Sequence, residues 1–529
     1  MNKQQLVSSV RFYAGYVSSV LALSLIFAYV FEASFNFSLV FFLLSLCLVY
    51  LFRTPAKVSW WKAFLFGYGV FALQATIMWT LDTFPLDDFY AVILTLQMPL
   101  DGFVWPFVID YLLKMIAGSL LIFLSLRFFK SFIRKFSVKG ICVFVCVLIL
   151  CDICYLYANL PLESYWNFIR DDNSEMLLQK STLWEENYVD ADSSNVNGGG
   201  QNLILIIMES MENWPDSLTP EIKKMAANDI SFSDKEPFGG GVNIAGAINT
   251  FCSTVSKVTG VPMLRKRRHL GKDLVRVKGI YDVLHDFGYK NIFLQGTDAG
   301  FSGLDSFVVH HGIDFLYDMN NLKGKWDMDS FFRNFRTFSA GITDKRLYDI
   351  SKEILDTLSK DKFSLTIATI ETHFPYGFYD KNCLEKPESY REESKFKATL
   401  QCASRQVYEF VNWVKKQPFF ENTQIVIVGD HLFMGNYFVE GRDRRWVDIF
   451  INSAIVPNTL NRRFTSIDMA PTILEGMGFQ IEGHKMGLGT SLFSDSLTLL
   501  EKLGWEKLNS EILQLENSIE YNQLYLEKK

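Results

Sequence analysis

Three short stretches in the second half of this sequence end in side chains that can bind a metal or move a proton. NLILIIM (202–208) is followed by Glu209. SLTIATI (364–370) is followed by Glu371, Thr372 and His373. TQIVIVG (423–429) is followed by Asp430 and His431. A glutamate after one strand is more often a cap or a surface group, and a lone histidine is more often a hydrogen-bonded structural residue. Three such ends in one sheet form a pattern. Carboxylates and imidazole suit a hard or borderline divalent ion such as Mn²⁺, Zn²⁺ or Mg²⁺. Glu209, Asp430 and His431 supply three ligands and leave a fourth position for an oxygen nucleophile.

The stretch NTFCSTVSKVTGVP (249–262) offers that oxygen. It carries Thr250, Ser253, Thr254, Ser256 and Thr259, and it follows the glycine run FGGG (238–241). It reads as a loop entering a helix. A hydroxyl beside a divalent cation loses its proton more easily, and a helix start favours both an alkoxide and an anionic group under attack. Thr250, at the expected helix start, is therefore the candidate. Ser253 and Thr254 lie a turn further in and read as ordinary helix surface or packing.

The elements that must position these residues alternate. The three stretches are continuous apolar runs, as buried parallel strands should be. IYDVLHDFGY (280–289) reads as a helix with a glycine stop, followed by the strand KNIFLQG. Leu347, Ile350, Ile354 and Leu358 share one helical face, as do Val407, Phe410, Val411 and Val414, and WVDIFIN (446–452) reads as one more strand. This order predicts an α/β domain with a largely parallel sheet flanked by helices. In such sheets chemistry gathers beyond the carboxyl ends of the strands.

The first 160 residues differ. The chain has 529 residues, more than one domain usually holds; it is rich in Phe (47) and 21% charged. Its mean hydropathy of +0.11 is too low for an all-membrane protein. Five apolar runs long enough to cross a bilayer lie near 12–31, 36–52, 63–82, 111–129 and 141–158. The 53–62 loop has Arg53, Lys57 and Lys62, and the 127–139 loop has five basic residues. The intervening loops carry Glu32 and Asp82, Asp87, Asp88 and Asp101. Basic loops stay cytoplasmic, so the N-terminus is expected inside and residue 160 onward outside. The expected organisation is a five-span transmembrane domain (1–160), a connector (161–200) ending in the flexible joint DADSSNVNGGG, and an extracytoplasmic α/β domain (201–529).

In an oxidising compartment Cys383 and Cys402, which flank LEKPESYREESKFKATLQ, are a candidate disulfide stapling that excursion; the alternative is two unpaired thiols. A net charge of −6, with no basic stripe interleaved with aromatics, argues against nucleic acid as a partner. His269 in RKRRH reads as solvated, His310 and His311 as structural, and His484 as a loop residue.

Taken together these residues resemble the membrane-anchored transferases of the alkaline phosphatase and sulfatase superfamily. That group includes lipoteichoic acid synthases, lipid A phosphoethanolamine transferases and periplasmic phosphoglycerol transferases of glucans. The family's strand-end Glu, nucleophilic Thr and Asp-His pair match Glu209, Thr250, Asp430 and His431. SIDMAPTILEGMG (466–478) is similar to the superfamily's late Asp-x-x-Pro-Thr helix. THFPYGF (372–378), DHLFMGN (430–436), FSGLDSFVVHHG (301–312) and GLG (487–489) resemble the phosphoglycerol transferase branch most. Leu304 stands where members of the group carry Arg or Lys. The sulfatase signature Cys-x-Pro-x-Arg is absent around Cys252.

The resemblance implies an alkaline-phosphatase-like domain and one divalent ion, Mn²⁺ first. It implies transfer of phosphoglycerol from phosphatidylglycerol to a periplasmic glycan or polymer, through a phospho-threonine at Thr250. His373 would hold phosphate or act as acid and base, and Asp305 would orient the glycerol hydroxyls. The expected location is the bacterial inner membrane, with the α/β domain periplasmic. Transfer of phosphoethanolamine, a phosphodiesterase releasing its product to water, and a catalytically silent scaffold remain as alternatives.

Overall fold

The computed structural model describes residues 179–525, apart from 192–194, 236–238, 265–275, 302–303, 323–330, 334–339, Pro375, Lys381, Tyr390 and Asn436. It also describes Leu112, Leu113 and Ile116, which are helical and exposed. Apart from these three residues of the fourth, the five expected spans, their loops and His269 lie outside the described residues. Among the described residues no helix is long and apolar enough to cross a membrane.

Six strands form the central sheet: β1 (Asn202–Met208), β2 (Lys290–Gln295), β3 (Phe315–Tyr317), β4 (Phe363–Ala368), β5 (Thr423–Gly429) and β6 (Asp448–Ile451). Their spatial order is β3-β2-β4-β1-β5-β6. β1 lies between β4 and β5, parallel to both, with Ile204 opposite Leu365 on one side and Ile425 on the other. Every residue of β1, β4 and β5 is buried, which is why these strands read as unbroken apolar runs. β6 pairs antiparallel to β5, so the sheet is mixed rather than parallel throughout. A four-residue strand such as DIFI carries no mark of its direction.

Along β1 the pleat sends alternate side chains to opposite faces. Leu203, Leu205 and Ile207 join a cluster with Val255 and Val258 of α2 (Thr250–Thr259), Leu284 of α3 (Ile280–Asp286) and Ile473 of α7 (Met469–Gly476). On the other face α5 (Asp344–Leu358) packs against β2, β4 and α6 (Glu392–Val414), and α6 packs against α1 (Pro220–Asn228). α4 (Leu304–His310) follows β2.

Two sequence expectations change, and the C-terminal segment, for which the sequence set no expectation, takes a definite place. The excursion between Cys383 and Cys402 is only half a loop, because α6 begins at Glu392 and buries Phe396 and Leu400. The joint before β1 is partly built into the domain: Val196–Asn197 pairs with Gln480–Ile481, and the Tyr289 hydroxyl donates to the carbonyls of Gly200 and Gln201. The C-terminal segment is docked through α8 (Leu499–Leu503), α9 (Trp505–Leu515) and α10 (Ile519–Gln523). Leu508, Ile512, Leu515 and Tyr521 are buried in the core, and the Tyr521 hydroxyl meets Pro262 O at 2.9 Å and Leu264 N at 2.8 Å.

Candidate active site

The three adjacent central strands deliver their ends to one place. Glu209 follows β1, Asp430 and His431 follow β5, and His373 lies five residues beyond the end of β4. Strand adjacency, not sequence proximity, brings them together.

The fourth contributor is α2. Asn249 caps it, its side-chain oxygen accepting from Cys252 N at 3.0 Å, as short polar caps do for an orphan N–H. Thr250 is the first helical residue and is partly exposed, whereas Phe251–Thr259 are all buried. The helix stops at Gly260, which adopts φ +72; a Cβ there would fall 2.3 Å from Met486 O, so the turn needs both the left-handed conformation and the absent side chain.

Thr250 Oγ1 donates to Glu209 Oε2 at 3.0 Å and lies 3.4 Å from His431 Nε2. His431 Nε2 is 3.5 Å from Glu209 Oε1 and 3.3 Å from Asp430 Oδ2. Ligand atoms of Glu209, Asp430 and His431 all lie within 4.8 Å of one another. The surrounding groups orient them. Ser210 Oγ donates to Glu209 Oε1 at 2.8 Å, and Asp430 Oδ1 accepts from Ser210 N at 2.7 Å and His431 N at 2.6 Å. Ser210 takes φ +48, a conformation costly for a non-glycine residue and typical of over-determined sites.

These residues fit a divalent ion. His431 Nδ1 lies 2.8 Å from Leu432 O. An N–H at Nδ1 donating there leaves the Nε2 lone pair aimed into the cluster, as a metal-ligating imidazole requires. Asp430 Oδ2 is then a buried oxygen without a hydrogen-bond donor. Among the described residues neither buried carboxylate is ion-paired with Lys or Arg. Burial pushes Asp430 up to about 7, helped by Glu209 and opposed by His431 and Lys257. Burial pushes Glu209 up as well, but His373, His431 and the hydroxyls of Ser210 and Thr250 outweigh it, so its carboxyl sits below the usual range. Burial pushes His431 down, and Asp430 and Glu209 more than reverse that. This clustered negative charge is what a cation would neutralise.

His373 is half-buried, with Nδ1 2.7 Å from Phe374 O. Asp305 is exposed in the first turn of α4, and no hydrogen bond joins it to the cluster among the described residues. α4 leans on the start of α2 through Phe307 against Phe251, 6.2 Å between ring centres. Leu304 is buried and brings no charge to the site. Cys383 and Cys402 are joined by a disulfide; their sulfurs are therefore unavailable as ligands beside Glu385. His310 and His311 take the structural roles expected of them, one on Ser306 O at 2.6 Å and the other beside Asp282 at 3.3 Å.

Sequence reasoning missed Lys257 and underrated Ser253. The Ser253 hydroxyl donates to Asp430 O, and Lys257 Nζ donates to the same carbonyl at 2.6 Å. A signal existed: Lys257 lies four residues after Ser253 and seven after Thr250, on one helical face.

The family model for sulfatases matches residues 201–479, more than half of the chain. The chain is 29% identical over 335 residues to phosphoglycerol transferase I of Escherichia fergusonii, covering 58% of this chain and 41% of that protein. It is 29% identical over 316 residues to phosphoglycerol transferase I of Citrobacter koseri, covering 55% of this chain and 39% of that protein. It thus spans about two fifths of these curated relatives. Among solved structures, the lipoteichoic acid synthase LtaP of Listeria monocytogenes is similar over 56% of this chain and 76% of that one, with 20% identity and a TM-score of 0.46. The family-model match over residues 201–479, more than half of the chain, shows that the chain belongs to the sulfatase family.

Proposed function

We propose that this chain is a metal-dependent transferase that moves phosphoglycerol from phosphatidylglycerol to a glycan or polymer acceptor at the outer face of the bacterial inner membrane. The observation that carries the reading is the position of Thr250 Oγ1, partly exposed at a helix start, 3.0 Å from Glu209 Oε2 and 3.4 Å from His431 Nε2. The match to relatives named phosphoglycerol transferase I supports the choice of transferred group.

In this reading Thr250 Oγ attacks the lipid phosphorus, the bond from phosphorus to the diacylglycerol oxygen breaks, and phosphoglycerol is held as an ester on Thr250. An acceptor hydroxyl then attacks the same phosphorus and the Thr250 oxygen leaves. Glu209, Asp430 and His431 would hold the ion, Mn²⁺ being the first choice. When bound, the ion supplies positive charge that eases loss of the Thr250 proton and offsets the phosphate. The start of α2 favours the anionic phosphate. His373 gives a proton to the departing diacylglycerol oxygen and takes one from the acceptor hydroxyl, as a positioned imidazole can. Asp305 orients the glycerol hydroxyls. Five spans within residues 1–160, with the N-terminus cytoplasmic, keep the site beside its lipid.

The test is the intact mass of the full-length chain after incubation with phosphatidylglycerol and Mn²⁺, beside Thr250→Ala. The parent is expected to gain one phosphoglycerol and the variant nothing. An adduct on both chains would overturn Thr250 as nucleophile. No adduct with any phospholipid would overturn the transferase reading, and the adduct's mass separates phosphoglycerol from phosphoethanolamine.

A further inference from the structure

Lys257 sits in the middle of a helix that is otherwise apolar or hydroxyl-bearing, and it is 1% exposed. A buried ammonium is costly unless its donors are satisfied. Its Nζ donates to Ser253 Oγ at 2.5 Å and to Asp430 O at 2.6 Å, and it lies 4.2 Å from the centre of the Trp446 ring. These contacts use the three directions an ammonium offers. No carboxylate lies within ion-pairing distance of it among the described residues. Ser253 Oγ reaches the same Asp430 carbonyl. That carbonyl belongs to the peptide joining Asp430 to His431, two residues of the candidate metal cluster.

Trp446 is itself seated by the glycine run. A Cβ on Gly241 would fall 2.0 Å from the Trp446 ring, and one on Gly240 2.1 Å from Trp446 O. Trp446 and Gly241 also exchange backbone hydrogen bonds, at 2.9 and 3.1 Å. Gly240 and Gly241 thus make room for the indole that roofs Lys257.

We propose that Lys257 is a positioning residue: through Ser253, the Asp430 carbonyl and the Trp446 face it locks the Asp430–His431 peptide to the helix that carries Thr250. It is buried behind the cluster, so it acts on the reaction through the ligands rather than by touching substrate. One helical face thus sets the nucleophile at its first turn and the ligand loop one and two turns further on. The inference rests on the metal-dependent reading of the site given above.

The test compares the full-length chain with Lys257→Met and Lys257→Arg, all purified in detergent. Mn²⁺ binding is read from the free-ion paramagnetic resonance signal, and turnover of phosphatidylglycerol is measured separately. Lys257→Met is expected to weaken Mn²⁺ binding by about 10–100-fold, the usual cost of losing a group that orients a metal ligand. kcat should fall comparably, with KM for the lipid within about twofold, since no substrate contact is lost. Lys257→Arg, which keeps charge and donors, is expected to recover part of the affinity. If Lys257→Met does not fold, Ser253→Ala removes one arm of the clasp without changing a charge. A folded variant that binds Mn²⁺ as tightly as the parent overturns the proposal and leaves the transferase reading standing. A parent chain that takes up no divalent ion overturns both.

Discussion

At the residue scale the site is governed by two buried carboxylates that cannot both be ionised cheaply without a cation. Asp430 is the one pushed up, to about 7, by burial and by Glu209. His431 is raised as well, because Asp430 and Glu209 outweigh its burial. Binding a divalent ion requires the ionised carboxylate and the free imidazole lone pair, so uptake must release protons below neutral pH. The apparent dissociation constant for Mn²⁺ is expected to rise at least about tenfold per pH unit below about pH 7 and to level off above it. Calorimetry in buffers of different ionisation enthalpy would count the protons released. An affinity that does not change across this range would mean that Asp430 is already ionised in the metal-free protein.

At the element scale the disulfide joins the loop after β4, which carries Glu371 and His373, to the middle of α6. It closes a separation of 19 residues. Closure of a loop of that length removes chain entropy from the unfolded state worth about 3 kcal/mol. Replacing Cys383 and Cys402 together by Ser is expected to cost about that much, seen as a lower urea midpoint. The same segment is also held by Arg405 on Glu385 at 2.8 Å and by Phe396 stacked on Phe433 at 4.2 Å. A variant with the parent's midpoint would assign the whole of that restraint to these contacts.

At the scale of the whole α/β domain, buried acids set the response to pH. Burial pushes Asp344, Asp430 and Asp468 up to about 7 and Asp448 to about 8. Each binds its proton more tightly folded than unfolded. The stability they contribute is therefore complete below about pH 4 and is lost as pH rises towards about 7 to 8. His431, also raised, acts in the same direction. Glu385 and Glu501, burdened by burial but held down by Arg405 and Arg462, act oppositely, but their change is complete near pH 4 to 5. The EDTA-treated chain is expected to have a lower urea midpoint at about pH 8 than at about pH 5, and Mn²⁺ should narrow the difference by favouring ionised Asp430. A midpoint that rises over that interval would show that other groups dominate.

The sequence by itself determined the local patterns. β1, β4 and β5 were legible as unbroken apolar runs because both of their faces are buried, and their polar ends stood out for the same reason. Thr250 was legible as the first hydroxyl of a helix expected after the glycine run, a local signal that the structure matches with a helix starting at Thr250. What only the tertiary structure decided depends on contacts far apart in the chain. That β4, β1 and β5 are neighbours, and so share one rim, follows from packing against helices on both faces. The reversed direction of β6 and the helical start of α6 inside a charged stretch were set by partners, since Phe396 and Leu400 find their apolar surroundings only after folding. The role of Lys257 was invisible for the same reason. A lysine in a sequence reads as solvent-facing, and only the closure of Trp446, Ser253 and the Asp430 carbonyl around it makes burial affordable.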